Sequence, residues 1–304
     1  MRHDVLRPQV AHAPRRQRRE RNSSVPNNPI SCHLITWGQD LDTGMREASD
    51  LDYRACETFT QHALEYEGRV EAYKELLASN SLRLSALYAG GRFSDASKTD
   101  EVIAFNTRVA QFLANAGVDR IVFGPGGPRE GKTSADGLKQ MARTIDDAAK
   151  RTADLGVLAC VHPHIGTELQ DREEIDAVME MTDPQFVHFC PDTAHLAAAG
   201  MDPAEVIRTY GSRMQYMHLK DLTPENPDPA QFDNFRGDEA LPIFCELGLG
   251  TLDFAPIMQA LADVGYDGWM TVEIDQSTST PYQSLAQCRD FVQDQLGLSL
   301  TLPA

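Results

Sequence analysis

Side chains able to bind a metal ion or move a proton follow four apolar segments in the second half of the chain. These segments read "GVLACVHPHIGTELQ", "FVHFCPDTAH", "MQYMHLKD" and "WMTVEIDQS". Each begins with residues typical of a buried strand and ends in His, Asp, Glu or Lys. Four histidines lie at these ends, namely His162, His164, His195 and His218. If the strands are parallel, their carboxyl ends meet at one edge and form a single reactive site.

Three of these residues predict a metal site. Asp192 follows an apolar strand, His218 ends "MQYM" and Glu273 lies within "MTVEID". A carboxylate in an apolar strand is costly unless it is paired or bound to a metal. The structural alternatives are a helix cap for Asp192, a satisfied core histidine for His218 and an ion pair of Glu273 with Lys220. Their joint occurrence favours a mixed oxygen and nitrogen site for Mn²⁺, Mg²⁺, Co²⁺, Fe²⁺ or Zn²⁺.

The elements that must position these residues alternate along the chain. We predict strands at 31–37, 59–65, 82–88, 119–126, 156–164, 186–192, 214–221 and 269–275, the second of them weakly marked. Helices are predicted near 51–58, 67–79, 98–116, 135–154, 171–182, 203–211, 254–265 and 281–295. Eight such units predict an α/β (β/α)8 TIM barrel, one domain over 30–300. A doubly wound sheet would need a glycine fingerprint after its first strand, and "ITWGQDLDTG" lacks it.

The charge of the chain is unevenly distributed. The formal net charge is −17; residues 1–22 carry +5, which leaves −22 on the remainder. An acidic body of this kind disfavours a nucleic-acid partner. Residues 1–29 lack apolar periodicity and predict a disordered basic extension. No apolar run approaches the roughly 20 residues of a membrane span, and the six cysteines form no C-x-x-C pair. We therefore expect a soluble cytoplasmic protein, with no membrane partner and with buried, reduced thiols.

The segment "GPGGPREGKTSADG" matches the G-x4-G-K-T pattern of a phosphate-binding loop. Pro128, however, lacks one of the N–H groups that such a loop needs. The following helix is expected to begin at a cap formed by Ser134 or Asp136. We therefore predict a loop at the rim of the barrel, with Arg129 or Lys132 close enough to touch a substrate.

Four phrases in order, "HPHIGTELQ", "DTAHLAAAG", "HLKD" and "GWMTVEIDQ", resemble the xylose-isomerase-like barrels, also called sugar phosphate isomerases/epimerases. Within that group the chain is most similar to inosose (2-keto-myo-inositol) dehydratases, over roughly residues 155–295. The resemblance implies a divalent metal, first of all Mn²⁺, bound by Asp192, His218 and Glu273. It implies Gln170 as the fourth ligand, with His162 as the alternative. It also implies a polyol or keto-sugar substrate and a homo-oligomer.

The same resemblance assigns roles to other polar residues at the predicted mouth. Trp37 is expected to stack on a sugar ring, although core packing explains it equally well. Arg236 and Glu246 lie in the Pro-rich segment 222–248 and are expected to reach over the mouth as a lid. The expected substrate contacts are Trp37, His162, Asp275 and Arg236, and the expected catalytic residues are Glu273, His164, His195 and Lys220.

The predicted chemistry begins with removal of a proton next to a metal-polarised carbonyl, through an enediolate. Glu273, His164 and Lys220 are equivalent candidates for the base. In a dehydratase, His195 or His164 then protonates the departing hydroxyl group. In an epimerase, a second base returns the proton to the opposite face. A dehydratase is the first hypothesis, with a ketose isomerase or epimerase and a 3-keto-glycoside lyase or hydratase as alternatives. A nuclease is disfavoured by the acidic charge, and a non-catalytic binding protein by the intact ligand set.

Overall fold

The fold is known from a computed structural model that describes residues 28–227, 232 and 241–302. The strands are β1 (Ile30–His33), β2 (Ala55–Phe59), β3 (Arg83–Gly91), β4 (Arg120–Pro125), β5 (Leu158–Val161), β6 (Val187–Phe189), β7 (Tyr216–Leu219), β8 (Asp221–Leu222), β9 (Phe244–Cys245) and β10 (Trp269–Val272). Eight of them form a parallel sheet in the order β6-β5-β4-β3-β2-β1-β10-β7. The short β8 and β9 pair antiparallel as a separate ribbon.

The two outer strands of the sheet, β6 and β7, meet and close the barrel. Parallel bridges join Phe189 to Met214 and Asp192 to His218. The N–H of His218 donates to the carbonyl of Pro191 at 2.9 Å. Because closure runs through Asp192 and His218, the same backbone contact that completes the barrel brings two predicted metal ligands together. The predicted (β/α)8 barrel is confirmed.

Helices surround the sheet and cover its apolar outer face. They are α1 (Leu41–Asp50), α2 (Thr60–Leu64), α3 (Val70–Ser79), α4 (Thr99–Ala116), α5 (Ala135–Ala153), α6 (Arg172–Met181), α7 (Thr193–Ala198), α8 (Pro203–Tyr210), α9 (Phe254–Asp263) and α10 (Pro281–Asp290), which continues as a π-helix over Phe291–Gln295. Within the described residues, 3₁₀ turns span Leu34–Trp37, Ala96–Lys98 and Gly211–Arg213. Ser134 caps α5 by accepting from the N–H of Gly137 at 3.1 Å, as expected for one of the two candidate caps.

A layer of hydroxyl groups fills the barrel interior one step before His218 along β7. Tyr216 is fully buried, and its hydroxyl lies 2.7 Å from both Ser85 and Thr271. Ser31 lies 3.5 Å from the same hydroxyl. Because the three strands that carry these partners each supply a hydroxyl, the buried phenol is satisfied without water. The polar residues of the mouth therefore lie next to a layer of side chains that hydrogen bonds hold in place.

The first strand–helix unit is where the sequence-based prediction was wrong. The second strand lies at 55–59 instead of 59–65, and residues 60–64 are helical. The first helix lies at 41–50, whereas 51–58 was predicted. The strand reads "ACETF", and Glu57 in its centre hides the apolar pattern by which strands are recognised. A charged residue is tolerated there because Glu57 is fully buried against polar partners in the barrel.

Some predictions fall on residues that the structure does not describe. The predicted disordered extension occupies residues 1–29, of which 1–27 lie outside the described residues, and so does Arg236. Among the described residues, no helix has the length and hydropathy needed to cross a membrane. All six cysteines are described, and all are buried free thiols, as predicted.

Gly90 near the end of β3 offers a test of the mouth's packing. Its φ is +117°, and an added Cβ would lie 2.0 Å from the carbonyl oxygen of Gly124. We expect Gly90→Ala to lower the free energy of unfolding by about 2–5 kcal/mol through strain and overpacking. Gly117→Ala is the matched control, since Gly117 has φ +74° but open space around it. It should cost about 1–2 kcal/mol. Equal losses in urea unfolding would contradict the packing argument.

Candidate active site

Three predicted ligands converge at the carboxyl ends of β6, β7 and β10. Asp192, His218 and Glu273 are buried, and each offers a ligand atom within 4.8 Å of the others. His218 Nδ1 lies 2.8 Å from Glu273 Oε2 and 4.0 Å from Asp192 Oδ2. The three strand ends therefore place two carboxylates and one imidazole around a common point.

The three atoms that could bind a metal at this point have no hydrogen-bond partner among the described residues. They are Asp192 Oδ2, His218 Nδ1 and Glu273 Oε2. The Nδ1–Oε2 approach is close, but its geometry is not that of a hydrogen bond. A buried polar atom left unpaired costs about 1–3 kcal/mol, so three that converge call for a common partner. Two carboxylate oxygens and an imidazole nitrogen fit a divalent cation.

Asp192 serves two purposes with its two oxygens. Its Oδ1 accepts from the N–H groups of Ala194 at 2.8 Å and His195 at 2.9 Å, which caps α7. Its Oδ2 has no hydrogen-bond partner and lies on the side of His218. The helix-cap explanation and the ligand explanation are therefore compatible, because the cap holds the carboxylate in the orientation that a ligand needs.

Glu57 on β2 is a functional candidate that the sequence analysis missed. Its Oε2 lies 2.8 Å from His218 Nε2, and both side chains are fully buried. A carboxylate here accepts the Nε2–H of the imidazole, which leaves the lone pair on Nδ1 for a metal. Burial lowers the pKa of His218, but Glu273 and Glu57 outweigh it, and the pKa is raised well above its usual value, so a metal would have to displace the proton on Nδ1 before it could bind there. The sequence did contain a signal for this residue, namely a glutamate inside an otherwise apolar strand. It would have been recognised if the second strand had been predicted at 55–59.

Lys220 lies beside the predicted ligands, with its ammonium among carboxylates. Its Nζ is 2.8 Å from Asp275 Oδ1, 3.2 Å from Glu273 Oε2 and 3.5 Å from Asp192 Oδ2. Burial lowers the pKa of Lys220, but Glu273, Asp192 and Asp275 outweigh it and raise the pKa above its usual value. The side chain is therefore an ammonium at neutral pH. This favours a role as a positive charge or proton donor over the predicted alternative of a base.

Three histidines form a second cluster next to the first. The ring centroids of His164 and His195 are 3.7 Å apart, and those of His162 and His195 are 5.6 Å apart. His195 Nε2 lies 3.3 Å from Lys220 Nζ, which can only donate, so Nδ1 of His195 carries the hydrogen. His164 Nδ1 lies 2.6 Å from the carbonyl of Ile165, so its Nε2 holds the lone pair.

The electrostatic surroundings keep two of these histidines neutral. Burial, followed by the charge of Lys220, holds the pKa of His195 well below its usual value. Burial, followed by the charge of His218, does the same to the pKa of His162. Both imidazoles are therefore neutral at physiological pH and present one N–H and one lone pair each.

Two predicted residues are engaged elsewhere. Gln170 Oε1 accepts from the N–H of Gly166 at 2.8 Å, and its Nε2 donates to Asp171 at 2.9 Å, so its amide is held in the loop after β5. Trp37 donates from Nε1 to Glu47 at 2.8 Å and packs against α1. Their roles as metal ligand and sugar platform stay predictions.

The glycine-rich rim loop is tied to the start of α6. Arg129 pairs with Asp171 at 2.8 Å and with Glu174 at 2.9 Å. Lys132 is exposed and pairs with Glu173 at 3.1 Å. The arginine that was expected to reach a substrate thus holds its own loop in place.

Glu246 has a similar structural task. Its buried carboxylate accepts from the N–H of Thr278 at 3.1 Å and from the Thr278 hydroxyl at 2.7 Å, and it also bonds to Ser284. These bonds fasten the segment after β9 to the loop before α10. The expected lid role is therefore replaced by that of a buried clamp.

Comparison with known proteins gives a matching family and a related enzyme. The family model described as xylose isomerase-like TIM barrel matches residues 45–292. The inosose dehydratase of Geobacillus kaustophilus is 30% identical over 271 residues, which cover 83% of this chain and 86% of that protein.

Solved structures share the fold at low sequence identity. The probable 3-DHS dehydratase AsbF of Bacillus anthracis has a TM-score of 0.72 at 13% identity, covering 88% of this chain and 99% of its own. IOLI protein with a bound zinc atom has a TM-score of 0.70 at 18% identity, covering 88% and 97%. An L-ribulose 3-epimerase also has a TM-score of 0.70 at 18% identity, covering 89% and 94%. At these identities the structures show a shared fold alone, and support for an enzymatic role comes from the inosose dehydratase at 30% identity. From its closed barrel and the family match over most of its length, the chain belongs to the xylose isomerase-like TIM barrel family.

Proposed function

We propose that this barrel is a divalent-metal-dependent enzyme that removes a proton next to the carbonyl of a keto-sugar or ketocyclitol. We propose further that it is a dehydratase of the inosose dehydratase type, with Mn²⁺ as its ion. The observation that carries the proposal is the convergence of three buried ligand atoms, on Asp192, His218 and Glu273, that make no hydrogen bond to any described residue. The similarity to an inosose dehydratase over most of both chains supports the substrate class.

The fourth ligand is proposed from the two residues that the sequence analysis named. Gln170 would have to release its hydrogen bond to Gly166 before it could turn towards the centre. His162 is buried, and its ring centroid is 4.7 Å from that of His218. The ligand atoms of His162, however, group with those of Asp192 and His195 and not with that of Glu273, so Gln170 is kept as the proposed fourth ligand and His162 as the alternative.

The cation supplies Lewis-acid polarisation of the substrate carbonyl when it is bound. The ammonium of Lys220 adds a fixed positive charge beside the same position, where negative charge develops on the substrate oxygen. Asp275 holds this ammonium from the mouth side, and about a third of its side chain is exposed (31%). It is therefore placed to accept a hydrogen bond from a substrate hydroxyl.

His164 and His195 are proposed as the base and the acid. His164 is partly exposed, and its Nε2 lone pair is free to take the proton next to the carbonyl. His195 holds a hydrogen on Nδ1, which has no partner among the described residues, and gives it to the departing hydroxyl group while the Lys220 ammonium, 3.3 Å away, passes a proton to Nε2, so that the imidazole stays neutral. Glu273 is less suited to be the base, because it also holds Lys220 and belongs to the ligand set.

The proposed reaction is tested with 2-keto-myo-inositol and Mn²⁺-loaded protein in D₂O. Dehydration should give rising diketone absorbance together with loss of water from the substrate. An epimerase would exchange the C–H proton for deuterium without loss of water, which NMR detects. If neither exchange nor dehydration occurs with this ketocyclitol or with free ketoses, the proposed function is wrong.

Glu273→Gln should abolish measurable turnover and weaken metal binding. The variant removes a charge from the ligand set and from the Lys220 ion pair. We expect at least about a 100-fold loss of activity, as for removal of a charge-stabilising group. Glu47→Gln is the control, since Glu47 pairs with Trp37 outside the centre. Full activity of Glu273→Gln would disprove the ligand assignment.

His164→Ala should separate catalysis from metal binding. Loss of a general base costs about 10²–10⁴-fold in rate. The affinity for Mn²⁺, measured by calorimetry, should stay within a few-fold of wild type because His164 is not among the proposed ligands. Proton exchange at wild-type rate in this variant would transfer the base role to another residue.

Glu57→Ala should weaken Mn²⁺ binding by about 10–100-fold, the usual effect of removing a carboxylate that orients a ligand histidine. The ¹⁵N spectrum of the metal-free protein should also show that the pKa of His218 is lower than in wild type, because Glu57 no longer stabilises the charged ring. Glu57→Gln keeps an acceptor at the same place and should restore part of the affinity. An unchanged histidine spectrum in Glu57→Ala would leave Glu57 with only a packing role.

A further inference from the structure

Two of the three potential cation positions among the described residues share one carboxylate. Asp192, His218 and Glu273 form the group described above, and His162, Asp192 and His195 form another, with ligand atoms also within 4.8 Å of one another. All members of both groups are buried. A carboxylate that belongs to two such groups is the usual bridge of a two-metal site. By its donor atoms alone, this mouth could hold two ions.

The ammonium of Lys220 already stands between the donors of the second group. Its Nζ lies 3.5 Å from Asp192 Oδ2 and 3.3 Å from His195 Nε2, two of the three members. Asp275 and Glu273 hold it there at 2.8 and 3.2 Å. The side chain is only 1% exposed, so the ammonium has little freedom to move away.

The charge balance agrees with this placement. Glu57, Asp192 and Glu273 are buried carboxylates and bring three negative charges. Lys220 neutralises one of them, and a single divalent ion balances the remaining two. The partly exposed Asp275, paired with Lys220, adds one further negative charge. A second divalent ion in addition to the ammonium would still leave the site with one excess positive charge, which a low-dielectric interior disfavours.

An aromatic wall favours an ammonium over a hydrated metal ion at this second position. Phe244 on β9 lies with its ring centroid 4.8 Å from Lys220 Nζ and 4.6 Å from that of the His195 ring. A ring face attracts an organic cation. It offers no ligand atom to a metal and excludes the water that a divalent ion would retain.

We infer that Lys220 takes the place of a second metal ion, so that the centre holds one divalent ion and a latent second site opens when the ammonium is removed. The inference rests on the proposed function, because the first ion is part of it. It assigns to His162, Asp192 and His195 a binding capacity that the natural side chain at position 220 suppresses.

The test is the number of Mn²⁺ ions bound, measured by calorimetry and by metal analysis after gel filtration. Wild type should bind one ion and show the paramagnetic resonance spectrum of an isolated Mn²⁺. Lys220→Ala should bind two and show the spectrum of a magnetically coupled pair. The double variant Lys220→Ala, His195→Ala should return to one. Asp275→Asn is the matched control, because Asp275 touches Nζ without belonging to the second group, and it should remain at one.

The outcomes separate the two proposals. Two ions in wild type, or one in a folded Lys220→Ala, would overturn the role of Lys220 while leaving the metal enzyme intact. No ion in wild type would remove the proposed function and this inference with it. Circular dichroism establishes whether Lys220→Ala is folded. Should it fail to fold, the wild-type stoichiometry and resonance spectrum decide the matter, because a coupled pair there contradicts the inference.

Discussion

Burial of several carboxylates at the carboxyl ends of the strands is the constraint on which the mouth of this barrel depends. Glu57, Asp192 and Glu273 are almost completely removed from water, and each faces His218 or Lys220. Removing one partner of a buried charged pair costs about 3–5 kcal/mol, since the remaining charge is left without compensation. The buried carboxylates and their positively charged partners must therefore be present together. The positions of the positive charges decide what chemistry the mouth can support.

The fold meets this constraint with short strands that end where the polar residues begin. β6 spans three residues and β7 four; Asp192 lies three positions after the end of β6, and Lys220 follows β7 directly. The cap of α7 then fixes one oxygen of Asp192, and Glu57 fixes one nitrogen of His218. These two proposed ligands are thereby oriented by contacts of an atom that does not itself bind the metal. Preorganisation comes from backbone and neighbouring side chains together.

The sequence predicted the barrel and most of the mouth, because strand-end polar residues are visible as breaks in apolar runs. Asp192, His218, Glu273 and Lys220 were found in this way, and the structure brings them together. Glu57 was not found, since its charge disguises the strand that carries it. The long-range partners of Arg129 and Glu246 also could not be predicted, because neither is near its partners in the chain. Local patterns locate strand ends, whereas the direction in which a side chain turns depends on residues far away in sequence.

Closure of the barrel has a thermodynamic consequence. β6 and β7 are joined by two isolated bridges instead of a continuous ladder, and one of these bridges is the pair Asp192 and His218. The seam of the cylinder thus passes through the residues proposed to bind the cation. A ligand that binds the native state alone adds its binding free energy to folding. Ion binding and closure of the barrel would therefore be coupled. A bound ion would stabilise the contact between β6 and β7, where only two isolated bridges join the described strands.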